Sequence, residues 1–200
     1  WERAGGMCGS VVFDEEQQLF KAWYMAGEDH AHTVCLATST DGVHFQRPAL
    51  GLHGHGDDTT AATNIVIPNT HHDGKDHFET MLKDPTDPDP AKRYKAIGWS
   101  SFDWDGPLSG IFTATSADGT TWEHPDGPKF AHNPRSGSDD LGPVGDAQSL
   151  MVDTARGRFV AFLRGAGSSR TLSTSLTHIH ISRTHAQTHI HTHTLSLSVT

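Results

Sequence analysis

Two stretches of this chain read almost alike: Ala37-Thr-Ser-Thr-Asp-Gly-Val-His-Phe-Gln-Arg-Pro48 and Ala114-Thr-Ser-Ala-Asp-Gly-Thr-Thr-Trp-Glu-His-Pro125. Ala, Thr, Ser, Asp, Gly and Pro coincide, and Phe45 and Trp122 take the same place, 77 residues apart. A second element recurs three times. It starts at Asp14, Asp89 and Asp153 and reaches an aromatic at Phe20, Tyr94 and Phe159. Ser10-Val-Val-Phe-Asp14 also resembles Ser149-Leu-Met-Val-Asp153. Self-similarity at such spacing is the mark of an architecture built from repeated supersecondary units.

The units read as strands joined by turns. Val11 to Phe13, Phe20 to Met25 and Thr33 to Thr38 are short runs rich in β-branched and aromatic residues, bounded by turn formers. Asp14 to Gln18 is a polar hairpin loop. Asp41-Gly42 and Asp118-Gly119 read as tight primed hairpin turns, because Asp and Gly tolerate positive φ. No segment sustains a 3.6-residue apolar period, so almost no helix is expected. Three or four strands per unit of this length fit a β-propeller blade better than a sandwich, which needs no internal repetition. The expected fold is all-β: a partial propeller over 1–164, with blades at about 8–47, 64–124 and 145–164. The third is expected to stop after two strands. A closed propeller needs at least four blades, so about two and a half of five are expected, in a chain that reads as part of something longer.

Composition narrows the function. With 24 acidic against 15 basic residues the formal net charge is −9, opposite to the basic surface a nucleic-acid binder presents. No apolar run approaches the ~20 residues of a membrane-spanning helix. Two cysteines, Cys8 and Cys35, do not make a disulfide framework, and their pairing stays open.

The composition then changes abruptly. After Asp153 no acidic residue follows, and 171–200 is built almost wholly of Thr, Ser, His, Leu and Ile. Six of the sixteen histidines lie here: His178, His180, His185, His189, His191 and His193. Three readings compete. Thr-His-Ile-His alternation suits an amphipathic strand, though with few apolar positions. A His-rich tract binds Zn²⁺ or Ni²⁺ weakly. An AC repeat running into a TC repeat in DNA would translate as Thr-His-Thr followed by Leu-Ser-Leu-Ser. The last is favoured, with disorder expected from about residue 166, and no defined metal site.

The motif Ser-x-Asp-Gly-x-x-[Phe/Trp]-x-x-Pro after a strand, with Lys83-Asp84-Pro85 and Arg93-Tyr94-Lys95-Ala96 in the next unit, resembles the five-bladed propeller glycosidase-like proteins. These are related to the invertase/levanase and arabinanase/xylosidase families. The resemblance covers about 1–164. It implies a funnel lined by the inner strand of each blade, where acids from three blades converge on a sugar. Glycoside cleavage asks for this, since one carboxylic acid protonates the leaving oxygen while a carboxylate attacks or activates water. By resemblance, Asp84 matches the Asp of an Arg-Asp-Pro element that binds sugar hydroxyls, with Lys83 in place of Arg. Asp146 stands where the relatives carry the third-blade Glu. Both also read as turn acids, beside prolines and glycines. Where the relatives place their nucleophile this chain has Gly5-Gly-Met-Cys-Gly-Ser10, and Glu2 is the only acid upstream. Asp14 reads as structural.

Further candidates are Trp104 as a sugar platform, Arg164 as a partner for a carboxylate, and Asn64 for sugar hydroxyls. Asn64 lies in the region between blades that also holds His53, His55, Asp57 and Asp58. Such polar residues suit sugar hydroxyls or a divalent cation, but a flexible Gly/His linker is the favoured reading; no cofactor is required. The expected function is a glycoside-hydrolase-like propeller that acts on or binds carbohydrate through inner-strand carboxylates, without activity as this portion alone. The alternative is a non-catalytic glycan-binding or scaffolding propeller. The expected partner is a carbohydrate, with no nucleic acid or membrane, and the oligomeric state is open.

Overall fold

The structure is a computed structural model. It describes residues 2, 9–28, 31–55, 62–68, 76–100, 110–123, 130–131, 144–165, 175–182 and 193–196. Of these, 28, 31–32, 76–77, 100, 110, 130–131, 144–147, 163–165, 175–182 and 193–196 are described as backbone alone.

Three antiparallel sheets follow one another along the chain. Sheet one is β1 (Gly9–Asp14), β2 (Leu19–Glu28), β3 (Ala31–Ser39) and β4 (Ile65–Ile67), paired in that order. Sheet two is β5 (Asp76–Lys83), β6 (Tyr94–Ser100), β7 (Gly110–Ser116) and β8 (Trp122–Glu123), with β9 (Phe130–Ala131) pairing the other end of β7. Sheet three is β10 (Val144–Asp153), β11 (Arg158–Gly165), β12 (Ser175–Ser182) and β13 (His193–Ser196). The only helical element among the described residues is one 3-10 turn, Pro90–Lys92. The fold is an all-β partial propeller.

The inner strands β1, β5 and β10 stand side by side and run the same way. Ser10 Oγ of β1 accepts from Met81 N of β5 at 2.9 Å; farther along both strands, Lys83 Nζ, two residues beyond Met81, reaches Asp14, four beyond Ser10, at 2.5 Å. Thr80 Oγ1 of β5 donates to the Gln148 carbonyl of β10 at 3.0 Å.

Strand register aligns the three sheets. Phe13 faces Phe20, Lys83 faces Tyr94 and Val152 faces Phe159 across the first hairpin of each sheet. The residue that follows, Asp14, Asp84 or Asp153, opens the hairpin loop. The repeat read from sequence set Asp89 beside Asp14 and Asp153; the structure puts Asp84 there instead. The second hairpin loop is longer, and Asp89 caps its 3-10 turn by accepting from Ala91 N.

The main core lies between sheets one and two. Alternation along the strands sends Val12, Trp23, Val34 and Leu36 to one face, where they meet Phe78, Met81, Tyr94, Ala96, Phe112 and Ala114. Trp23 lies at its centre, edge-on to Tyr94 at 5.8 Å and to Trp122 at 6.2 Å. Its indole N–H, which burial would otherwise leave unsatisfied, donates to the Gly119 carbonyl at 2.8 Å.

The fourth strand of both complete sheets is broken in two. In sheet one Gln46 bridges Thr38, and β4 pairs Val34 and Cys35 after a detour through 47–62. In sheet two β8 and β9 pair the two ends of β7 in the same way. Sheet one therefore runs to Ile67, beyond the blade end expected at 47.

Two further expectations change. The Asp-Gly turns are not two-residue primed hairpins: Gly42 (φ 74°) and Gly119 (φ 77°) take positive φ, and their Asp neighbours do not. Each is a longer turn closed by side chains. Ser39 Oγ accepts from Asp41 N and Gly42 N, and Asp41 Oδ1 from Val43 N and His44 N. Ser116 and Asp118 repeat the set. Sheet three does not stop at two strands either, since 175–182 and 193–196 extend it. Backbone pairing with β11 supplies what too few apolar side chains were expected to withhold. The rest of 166–200 lies outside the described residues.

Candidate functional site

The parallel run of the inner strands gives the propeller two ends. At one end stand the starts of β1, β5 and the described part of β10: Gly9 and Ser10, Glu79 and Thr80, Gln148. At the other are the hairpin loops opened by Asp14, Asp84 and Asp153.

Glu79 is the acid at the first end. Only 7 % exposed, it accepts from Gln148 N at 3.1 Å and so spans from β5 to β10. A bulge positions it: Phe78 faces Gly98 and Thr80 faces Ile97, leaving Glu79 without an opposite number. Bulges re-aim a side chain in this way. Asp146 lies two residues before Gln148, in a stretch where β10 also slips register between Val144 and Gln148. Its backbone therefore lies at the same end as Glu79. Nothing in the sequence around Glu79 marks it, because a bulge disturbs the alternation that would have assigned it a face.

Asp84 lies at the opposite end. It is buried, and its Oδ1 accepts from Thr86 N at 3.1 Å and Thr86 Oγ1 at 2.8 Å, while its N–H donates to the Arg93 carbonyl at 2.7 Å. These are the bonds of a residue that opens a loop. It lies five residue steps along the strand from Glu79, roughly 16 Å at 3.3 Å per residue. Asp146 is farther still. The structure does not bring Asp84 and Asp146 together.

Glu2 and Asn64 do meet, through Tyr24. The Tyr24 hydroxyl donates to Glu2 and accepts from Asn64 Nδ2 at 2.7 Å; Asn64 Nδ2 also donates to the Leu36 carbonyl at 2.9 Å. The other oxygen of Glu2 takes the Arg47 guanidinium. Burial and the Glu2 carboxylate together push Tyr24 well above the ordinary phenol range. Arg47, Pro48, Ala62 and Asn64 line a cavity of about 210 Å³ beside this group. Tyr24 faces Gly9 in the ladder, so the cavity lies toward the Glu79 end of sheet one. Arg164 lies on β11 opposite Leu176, with its side chain outside the described part, as is that of Asp146. Trp104, Asp57, Asp58 and Cys8 lie outside the described residues. Cys35 is a buried free thiol, pushed up to about 11 by burial.

The hairpin end holds the densest charge cluster. Asp14 is enclosed by Lys21 at 3.2 Å, Lys83 at 2.5 Å and the Tyr94 hydroxyl, which donates to it. Lys21 donates in turn to Tyr94 at 2.9 Å and to the Asp118 carbonyl at 2.7 Å. Burial alone would raise Asp14, but these donors together hold it well below the carboxylate range. Every polar atom here is matched within the protein, which marks a structural lock between sheets one and two and not a site open to a ligand.

No protein-family model and no curated protein match the chain. Solved structures do. A β-fructofuranosidase from Schwanniomyces occidentalis, a five-bladed propeller complexed with fructosyl-erythritol, superposes with a TM-score of 0.57 over 92 % of this chain at 12 % identity. A candidate glycoside hydrolase from Bacteroides ovatus also gives 0.57 over 92 %, at 13 % identity. An N-acetylgalactosamine deacetylase from F. plautii, in complex with blood group B trisaccharide, gives 0.55 over 88 % at 18 % identity. The chain spans 33 %, 48 % and 49 % of those three chains respectively. It has the fold of the glycoside-hydrolase propellers and covers half or less of each.

Proposed function

We propose that this chain is the carbohydrate-binding portion of a glycoside-hydrolase-like propeller, with its sugar site at the Glu79 end of β1, β5 and β10. The observation that carries the reading is the buried Glu79 carboxylate, bulged out of its own ladder and joined to the inner strand of the next sheet. A carboxylate so held is preorganised to accept from sugar hydroxyls, and Asp146 supplies a second acid from the neighbouring strand. Two acids at the about 5–9.5 Å spacing of glycosidases would have the makings of hydrolysis. Structural neighbours that hold fructosyl-erythritol and a blood group trisaccharide support a carbohydrate as the ligand class.

Binding without turnover is favoured by the first sheet. There Arg47 and Tyr24 already engage the Glu2 carboxylate.

Titration calorimetry of the chain with short fructan and arabinan oligosaccharides tests the site. Glu79→Gln should weaken binding about tenfold or more, the worth of a hydrogen bond to a charged group. Asp84→Asn should leave it within about twofold, with thermal unfolding as the fold control. Loss of binding in Asp84→Asn with Glu79→Gln silent would move the site to the hairpin end and overturn the assignment.

A further inference from the structure

We propose that the exposed face of sheet one is a docking surface for a further sheet of the same repeat, received on Phe20 and on the turn of Asp41 and Gly42. The chain already makes this contact within itself. Sheet two receives sheet one on Tyr94 and on the turn of Asp118 and Gly119. Trp23 stands edge-on to Tyr94 at 5.8 Å and donates to the Gly119 carbonyl at 2.8 Å, while Lys21 Nζ donates to the Asp118 carbonyl at 2.7 Å. Sheet three receives sheet two in a related way, with Lys95 over Phe159 at 5.3 Å. Lys21 and Lys95 each follow the aromatic of their own hairpin, Phe20 and Tyr94. Alternation therefore sends the aromatic to the receiving face and the lysine to the face that docks.

Sheet one repeats the receiving half of this contact. Phe20 is opposite Ser39 as Tyr94 is opposite Ser116, and the same Ser-x-Asp-Gly turn follows each serine. A Cβ on Gly42 would meet the Phe20 ring at 3.2 Å, and one on Gly119 would meet the Tyr94 ring at 3.2 Å. At Gly119 the nearest atom is Trp23 Cζ2 of the incoming sheet, at 2.7 Å; at Gly42 the three nearest all belong to Phe20 itself. Val11 and Phe13 are exposed on the same face. The two internal contacts also define the occupant. It is an antiparallel sheet whose second strand carries Lys-Ala-apolar, as Lys21-Ala-Trp23 and Lys95-Ala-Ile97 do, so that the lysine gains the Phe20 ring. Phe13 stands where sheet two has Lys83, so this occupant needs no buried acid in the place of Asp14. A second copy of the chain fits less well. Its sheet three has Val160 at the lysine position. A five-bladed ring, as in the propeller that superposes on this chain, has room for two more sheets, whereas a second copy brings three. Neither the carbohydrate reading nor its residues enter into this surface.

The test keeps the full chain and takes the occupant from its own sequence. One variant repeats residues 1–75, which carry sheet one, in tandem ahead of Trp1; a second repeats 76–143, which carry sheet two, in the same place. Each brings a Lys-Ala-apolar strand to the resident sheet one. Docking should slow thermolysin cleavage within the added sheet at least about tenfold against a control in which its lysine and apolar residue are Ala. The controls are Lys21→Ala with Trp23→Ala, or Lys95→Ala with Ile97→Ala, in the added sheet alone. A glycine gives the second readout. With the added sheet one seated, Gly42→Ala in the resident sheet should lower the thermal midpoint as much as Gly119→Ala does, because an incoming Trp23 then stands against the new Cβ. In the parent the same change should lower it less. Absence of protection in both variants, protection that survives the alanine controls, or a resident Gly42→Ala that keeps its parental effect would each overturn the proposal. A parent dimer of fixed stoichiometry that shields Phe13 from hydroxyl-radical oxidation would give the face to a second copy and overturn it too.

Discussion

Asp14 carries its charge where water does not reach, at 1 % exposure, and two lysines and a tyrosine hydroxyl take the place of its hydration. Removing one member of a buried charge cluster costs more than the cluster itself contributes, because the others are left buried and unpaired. Asp14→Asn should therefore destabilise the chain by about 3–5 kcal/mol in urea unfolding, through Lys21 and Lys83. The same residue predicts the acid limb of stability. Its pKa is lowered in the folded state from an ordinary 3.8, so its contribution is complete above that value and is lost as pH falls toward the folded one. The urea midpoint of the parent should drop between pH 5 and pH 3, and Asp14→Asn should show a smaller drop over the same interval. A midpoint equally pH-dependent in both would assign the acid limb to other carboxylates. Asp84 and Asp153 open the same loop with other partners, Thr86 in one case and Arg156 and Arg158 in the other. One position in the repeat thus serves the turn each time, and in the first it also locks two sheets together.

Among the elements, the Ser-x-Asp-Gly turn offers an internal comparison. Both glycines need positive φ, which costs an L-residue roughly 1–2 kcal/mol, but their surroundings differ. A Cβ on Gly119 would meet Trp23 Cζ2 at 2.7 Å, whereas on Gly42 it would meet the Phe20 ring at 3.2 Å. Gly119→Ala should thus cost about 1–3 kcal/mol more than Gly42→Ala, the usual range for overpacking a filled core. Thermal unfolding of both variants measures the difference. Equal losses would mean that backbone conformation, not the contact with Trp23, accounts for the glycine. These turns and the strands before them were legible in the sequence, since alternation and turn chemistry are complete within about ten residues. The turn geometry was not: Asp-Gly alone reads as a two-residue hairpin, and the Ser two positions earlier closes a longer loop. Nor was the register of the second hairpin. Asp84 and Asp89 both precede Tyr94 among prolines, and only the ladder shows which of them matches Asp14.

Across the whole molecule, the contacts between sheets repeat. Lys21 of sheet one lies over Tyr94 of sheet two at 4.7 Å, and Lys95 of sheet two lies over Phe159 of sheet three at 5.3 Å. The corresponding aromatic of sheet one, Phe20, packs instead on Phe13 at 4.6 Å. On that face Val11 is 62 % and Phe13 41 % exposed, on an inner strand whose other side is core. An apolar sheet face of this kind drives association. Replacing both residues, Val11→Glu with Phe13→Glu, should reduce concentration-dependent association in sedimentation velocity. The thermal transition should fall only by the worth of the Phe13–Phe20 contact, about 0.5–1.5 kcal/mol. Unchanged association would place the sticky surface elsewhere.

By itself the sequence determined that this chain is a repeat of antiparallel strands and turns, because period-two alternation, Asp-Gly punctuation and recurring aromatics are local and survive being read one residue after another. It also carried the resemblance to the glycosidase-like propellers. Tertiary structure alone decided which acid stands at which end of the inner strands. A bulge at Glu79 and a hairpin loop of different length after Asp84 shift the register without altering the pattern.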